Sequence, residues 1–137
     1  VYEYLVNNYP AHFDILLAEI ALADCLFAQG ANSFTNYESA AAIFERVRDL
    51  PSAPVDLRAE AGFKWGYALA KHAQAAKAQI IFWSVADAFL LDAAQATRLG
   101  AKGRYWVSRS LLELAQLHED AGQIDEAQRS YQLILDY

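Results

Sequence analysis

Apolar side chains along this chain recur at three- and four-residue steps, the period of a helix with one buried face. Ile15, Leu16, Ile20, Leu22, Ala23, Leu26 and Phe27 mark a helix over residues 11–29. Pro10 stands before it, where a proline is tolerated at a helix start. Gly30 follows as a left-handed stop. Residues 31–35 are small and polar and read as a loop. Thr35-Asn-Tyr-Glu38 has the form of a capping box and opens a helix over about 36–50, with Ala40, Ile43, Phe44 and Val47 on one face. Leu50-Pro51-Ser-Ala-Pro54 ends it.

A third helical run covers 54–73, with Leu57, Ala61, Trp65, Ala68 and Leu69 along one side. A fourth covers 75–91, with Ala78, Ile81, Phe82, Val85 and Phe89 as its stripe. Between them stands His72-Ala73-Gln74, with no glycine or proline, so either a turn there uses a non-glycine residue or the two runs fuse into one long helix. Residues 92–103 fit an extension of the fourth helix or the start of the fifth, and Gly100 and Gly103 place a break near there. The fifth helix runs to about Ala121, with Trp106, Leu111, Leu114, Ala115 and Leu117 inward, and Gly122 stops it. A sixth covers about 124–136, with Ala127, Tyr131, Ile134 and Leu135. No segment alternates like a half-buried strand, so the expected class is all-α in a single domain.

Composition narrows the function. At 55% hydrophobic and 20% charged residues the 137-residue chain has too much apolar surface to remain disordered. Its formal charge of −6 opposes binding to nucleic acid or an anionic membrane. No apolar stretch is long enough to span a bilayer, so no membrane insertion is expected. The single cysteine, Cys25, sits in an apolar run and reads as a small buried hydrophobe rather than a reactive thiol. The N-terminus lacks the basic region of a signal peptide and a starting Met, and the chain reads as an excerpt of something longer.

Candidate chemistry is sparse. His12, His72 and His118 are scattered, and successive helix residues such as His118, Glu119 and Asp120 cannot converge on one ion, so no metal or other cofactor is expected. Phosphate-loop, dinucleotide, nucleophile-elbow and zinc-protease motifs are absent. Gly100-Ala-Lys-Gly103-Arg is a short basic segment that could hold an anion at a helix start, but reads first as an interhelix turn. No nucleophile and base pair up, and the chain is expected to be non-enzymatic.

Laid in pairs, the helices repeat. The last pair reads Leu111-x2-Leu114-Ala115-x2-His118-x3-Gly122-x4-Ala127-x3-Tyr131-x2-Ile134. The middle pair reads Gly62-x2-Trp65-Gly66-x2-Leu69-x3-Ala73-x4-Ala78-x3-Phe82-x2-Val85. The first reads Glu19-x2-Leu22-Ala23-x2-Leu26-x3-Gly30, then a longer loop, then Ala40-x3-Phe44-x2-Val47. One pair alone cannot bury its apolar face, so the pairs must stack.

This pattern resembles the tetratricopeptide repeat family. The resemblance implies a right-handed α-solenoid of antiparallel pairs over 11–51, 54–98 and 101–137. Tyr2, Leu5 and Pro10 match the end of a preceding repeat over 1–10, and Asn8-Tyr9-Pro10 is similar to repeat proteins of bacterial cell envelopes. Three departures stand out. The first pair has about five extra loop residues at 31–35. Ala78 and Ala127 lie 49 positions apart, beyond the family's period of about 34. Glu19 fills a slot usually held by a large apolar residue.

The resemblance also implies a concave groove lined by the first helix of each pair. The matching slots are Leu17, Ile20, Asp24 and Phe27, then Glu60, Phe63, Tyr67 and Lys71, then Arg109, Leu112, Gln116 and Glu119. Aromatic rings with a few charges suit an extended or helical peptide. The competing reading is that these side chains pack between neighbouring helices. At the slots where some family members clamp a carboxylate, here Ile20, Asp24, Lys64, Arg109 and Glu113, only Arg109 matches, so no clamp is expected. The expected function is a scaffold binding a protein or peptide segment. The alternatives are a small-molecule site around Phe63, Tyr67, Tyr105 and Trp106, an accessory domain of a larger enzyme, or self-association through bare repeat ends.

Overall fold

The computed structural model describes residues 4, 7–9, 12–30 and 33–137, and among these there is no strand. The readings placed on Tyr2, Leu5, Pro10 and positions 31–32 lie outside the described residues. Helix α1 spans Phe13–Gln29, α2 Phe34–Asp49, α3 Val55–Lys71 and α4 Ala75–Ala86. A π-helical turn, Asp87–Leu91, and a short helix α5, Ala93–Ala96, lead to α6, Ala101–Asp120, and α7, Ile124–Asp136.

The starts and stops follow local chemistry, with three corrections. Helix α2 begins two residues earlier than the Thr35 capping box implies. Ser33 is extended, its hydroxyl accepts from the Asn36 amide at 3.4 Å, and Phe34 packs against Tyr37 within the helix. Gly30 is right-handed, with φ −63°, rather than a left-handed stop. Its requirement is space: a Cβ there would lie 3.0 Å from the Phe27 carbonyl oxygen and 3.2 Å from Tyr37 Cβ. Gly103 lies inside the first turn of α6 and breaks nothing.

The two remaining turns are alike. Ala73 has φ 59°, and the Gln74 amide donates to the Leu69 carbonyl at 3.0 Å. Gly122 has φ 74°, and the Gln123 amide donates to the His118 carbonyl at 2.8 Å. The left-handed residue thus sits at the same motif position in both, and in one of them it is an alanine. The extra length between Ala78 and Ala127 is taken up after α4. The π-helical turn buries Phe89 and Leu90, and Asp92 caps α5 by accepting from the Gln95 amide at 3.1 Å.

Neighbouring helices lie side by side in chain order, α1 on α2, α2 on α3, α3 on α4 and α6 on α7, and α6 also packs on α3 and α4. Two apolar clusters form the core, one under α1, α2 and α3 and one under α3, α4, α6 and the π-helical turn, and Trp65 touches both. Ala40, Ala78 and Ala127 are all buried at the joints, Phe44 and Phe82 are fully buried, and Tyr131 is half-buried. Helices α3 and α4 approach so closely that a Cβ on Gly66 would fall 2.7 Å from the Phe82 ring. Burial of each such phenylalanine stabilises by about 2–3 kcal/mol.

Polar residues in the first two helices depart from expectation in two places. Glu19 is buried and ion-paired with Arg46 of α2, and its second carboxylate oxygen has no partner among the described residues. Cys25, expected inside, is exposed. On α1 the inward positions are Leu16, Glu19, Ile20 and Ala23, which turns Cys25 to solvent.

Candidate functional site

Helices α1, α3 and α6 share one face, and the side chains that join them there are charged or aromatic. Lys64 of α3 donates to Asp24 of α1 at 2.7 Å and pairs with Glu60 one turn away at 2.8 Å. Burial pushes its ammonium down, but the hydrogen bonds and charges of Asp24 and Glu60 outweigh that and hold it above the ordinary lysine value. A row of rings crosses the same face. Phe27 meets Tyr67 at 6.0 Å, Tyr67 stacks on Phe63 at 5.7 Å, and Phe63 meets Trp106 at 5.2 Å between centroids. Three cations lie over these rings: Lys71 over Tyr67, Lys64 over Trp106 and Arg109 over Phe63.

The residues expected to line a groove divide accordingly. Ile20 and Phe63 are buried in the core, a correction to their reading as groove-lining side chains. The i, i+3, i+4 stripe that would face a partner also supplies the contact between adjacent helices, and at these two positions the helices claim it. Phe27, Glu60, Tyr67 and Arg109 are half-buried within the row, and Arg109 also pairs with Glu113 at 3.3 Å. Leu17, Asp24, Lys71, Leu112, Gln116 and Glu119 are exposed. Glu119 accepts from the Tyr131 hydroxyl of α7 at 3.3 Å, so it faces the following helix rather than the aromatic row. The rings proposed for a small molecule, Phe63, Tyr67 and Trp106, spend much of their faces on one another, while Tyr105 is exposed.

Two adjoining cavities open beside the row. One, of about 480 Å³, lies between Glu60, Lys102, Tyr105 and Trp106. The other, of about 400 Å³, is walled by Phe13 and Leu17 of α1, Val55, Leu57 and Glu60 of α3, and Arg98 and Lys102 before and within α6. Glu60 and Lys102 belong to both. At the Gly100 segment the helix start is capped from within the chain: Asp56 accepts from the Gly100 amide at 2.7 Å. The positive charge of Arg98 also reaches Arg58. Burial first, and then Arg48 and Arg98, push the Arg58 guanidinium below its ordinary value, against the opposing charge of Asp49.

A third groove, of about 730 Å³, lies on α4, α6 and α7, with Ile80, Trp83, Leu114, His118 and Leu133 among its walls. Ile80 and Trp83 are exposed, and the sequence reading passed over them. The signal was the unbroken run Ile80-Ile81-Phe82-Trp83, which no single helix face can absorb. Phe13, Val55 and Arg98 were likewise not foreseen as wall residues. Lys102 lay in the basic segment already noted.

Among the described residues no cluster of three or more His, Cys, Asp or Glu side chains could hold a metal ion. His118 instead meets the Gln123 side chain at 2.7 Å. No described helix is long and apolar enough to cross a membrane. No family model matches the chain, and no curated protein or solved structure matches it.

Proposed function

We propose that this chain is a tetratricopeptide-like stack of three antiparallel helix pairs and a non-catalytic scaffold that binds a peptide segment across the α1–α3–α6 face. The observation that carries the reading is the continuous row from Phe27 through Tyr67 and Phe63 to Trp106, flanked by two open cavities that share Glu60 and Lys102. Rigid rings give contact area at low entropic cost, and the paired charges set the register of a bound segment. The like turns at Ala73 and Gly122 and the buried Ala40, Ala78 and Ala127 support the repeat reading.

Leu17 and Tyr105, 42% and 54% exposed, are free to meet a partner, and the buried Phe63 is not. Selection of random peptides displayed on phage against the protein is expected to enrich binders. Leu17→Glu combined with Tyr105→Ala is expected to lose them while helical circular dichroism is unchanged. An empty selection, or binders indifferent to the double variant, would reject the reading. Self-association is a second reading, favoured by exposed Ile80, Trp83 and Leu135. It requires particle size to grow with concentration in light scattering.

A further inference from the structure

The groove of about 730 Å³ on α4, α6 and α7 has the size of a small-molecule site, for which about 300–1,000 Å³ is usual. Eleven side chains wall it, against the roughly 20–30 residues a side of a stable protein interface. Ile80, Trp83, Leu114 and Leu133 supply its apolar surface, and the exposed Trp83 indole offers a flat face for a ring.

Most polar side chains of the wall are spent within the chain. Arg129 pairs with Glu126 at 2.9 Å, Gln132 donates to Asp136 at 2.7 Å, and the Ser130 hydroxyl donates to the Glu126 carbonyl at 3.1 Å. Gln79 donates to Gln123 at 3.4 Å. His118 differs at one ring nitrogen. Its Nδ1 lies 2.7 Å from Gln123 Oε1, an amide oxygen that can only accept, so Nδ1 carries the proton. In the neutral ring Nε2 is then a bare acceptor, and it has no partner among the described residues. Two carboxylates stand against one guanidinium on the wall, which opposes an anionic ligand, and a cationic one would lose hydration against the apolar side chains.

We propose that this groove binds a compact, uncharged aromatic molecule of the phenol or indole class, whose ring lies against Trp83 and Ile80 while its O–H or N–H donates to His118 Nε2. The inference is independent of the peptide-binding reading, because none of these residues belongs to the α1–α3–α6 row. Ring burial supplies most of the affinity, and the single hydrogen bond selects the ligand's polar edge.

The test titrates two probes, 2-naphthol and 2-methoxynaphthalene, which share a ring system and differ in the donor, at about pH 7.5. Calorimetry is expected to show 2-naphthol binding about fivefold tighter, the worth of one net hydrogen bond. His118→Phe is expected to bring the two probes within about twofold of each other. Trp83→Ser with Ile80→Ser is expected to weaken both by about tenfold or more. Phe34→Ser, which removes an exposed ring outside the groove, is expected to leave both within about twofold. In the unaltered chain the nitrogen resonance of His118 Nε2 should shift with 2-naphthol and stay in place with 2-methoxynaphthalene, a readout that holds even where a variant unfolds. Failure of both probes to bind, or losses in Phe34→Ser equal to those in the groove variant, would overturn the site. Equal affinities for the two probes, or a preference for 2-naphthol that survives His118→Phe, would overturn the ligand class.

Discussion

Asp56 accepts a hydrogen bond from the backbone amide of Gly100, 2.7 Å away and 44 positions further along the chain. One carboxylate of α3 thus caps the start of α6, where the helix dipole is positive and the amides lack partners. Little else is possible at Gly100 and Gly103, because a Cβ on either would run into the Asp56 carboxylate. Asp56→Ala is expected to cost about 1–2 kcal/mol. Gly103→Ala is expected to cost at least as much, because it displaces the cap and crowds Leu99. Urea unfolding of the two variants checks both values.

The left-handed turns give a pair of predictions of opposite sign. Ala73 is held at φ 59°, a conformation its Cβ disfavours, so Ala73→Gly is expected to stabilise by about 0.5–1 kcal/mol. Gly122 at φ 74° has open space around its Cβ position, so Gly122→Ala is expected to destabilise by about 0.5–1 kcal/mol through backbone strain alone. Thermal unfolding should move the two midpoints in opposite directions. Equal shifts in one direction would contradict the turn geometry.

Glu19 and Arg46 test what a buried charge contributes. Glu19 is 2% exposed, so removing its partner leaves a carboxylate in the core. Arg46→Ala is expected to cost about 1–3 kcal/mol, below the value for a fully buried pair because the Arg46 side chain is 44% exposed. Glu19→Leu with Arg46→Met is expected to restore or exceed the original stability, since apolar packing replaces a desolvated pair. Chemical denaturation of the single and double variants separates the two outcomes.

Lys64 sets a dependence on alkaline pH. Its folded-state value lies above its unfolded value, so the stability it supplies is complete below the unfolded lysine value and is lost as pH rises through the folded one. Tyr37 acts with the same sign. Its hydroxyl is raised, by burial first and then by the charge of Glu38, and its ring stacks on His72 at 3.6 Å. Stability should therefore fall as pH climbs past the ordinary tyrosine and lysine values. The fall should be shallower in Lys64→Met and in Tyr37→Phe. Denaturation midpoints measured across that range check it, and an unchanged slope in both variants would contradict the assignment.

The helices themselves were legible before any coordinates, because apolar spacing is a local property and each helix carries its own. The middle of α3, α4 and α7 fell where the periodicity placed them, and the left-handed Ala73 sits at the motif position that Gly122 holds in the last pair. The ends were less legible. A hydroxyl cap depends on which extended residue precedes the helix, and Ser33 won over Thr35. The stretch between Leu91 and Gly100 carried no clear period, and it forms a π-helical turn and a short separate helix.

By itself, the sequence determined an all-helical chain and the positions of its small and aromatic side chains along each helix. Tertiary structure alone decided which of those side chains remain available. Phe63 and Ile20 share their helical stripe with Leu17 and Tyr67, yet packing buries the first two and leaves the latter two at or near the surface. It also brought Asp56 to Gly100 and committed Glu60 to Lys64, leaving Arg98 and Lys102 unpaired among the described residues. The physical reason is that helical period is set within a few residues. Which face is covered, and which charge finds a partner, is set by segments tens of residues away.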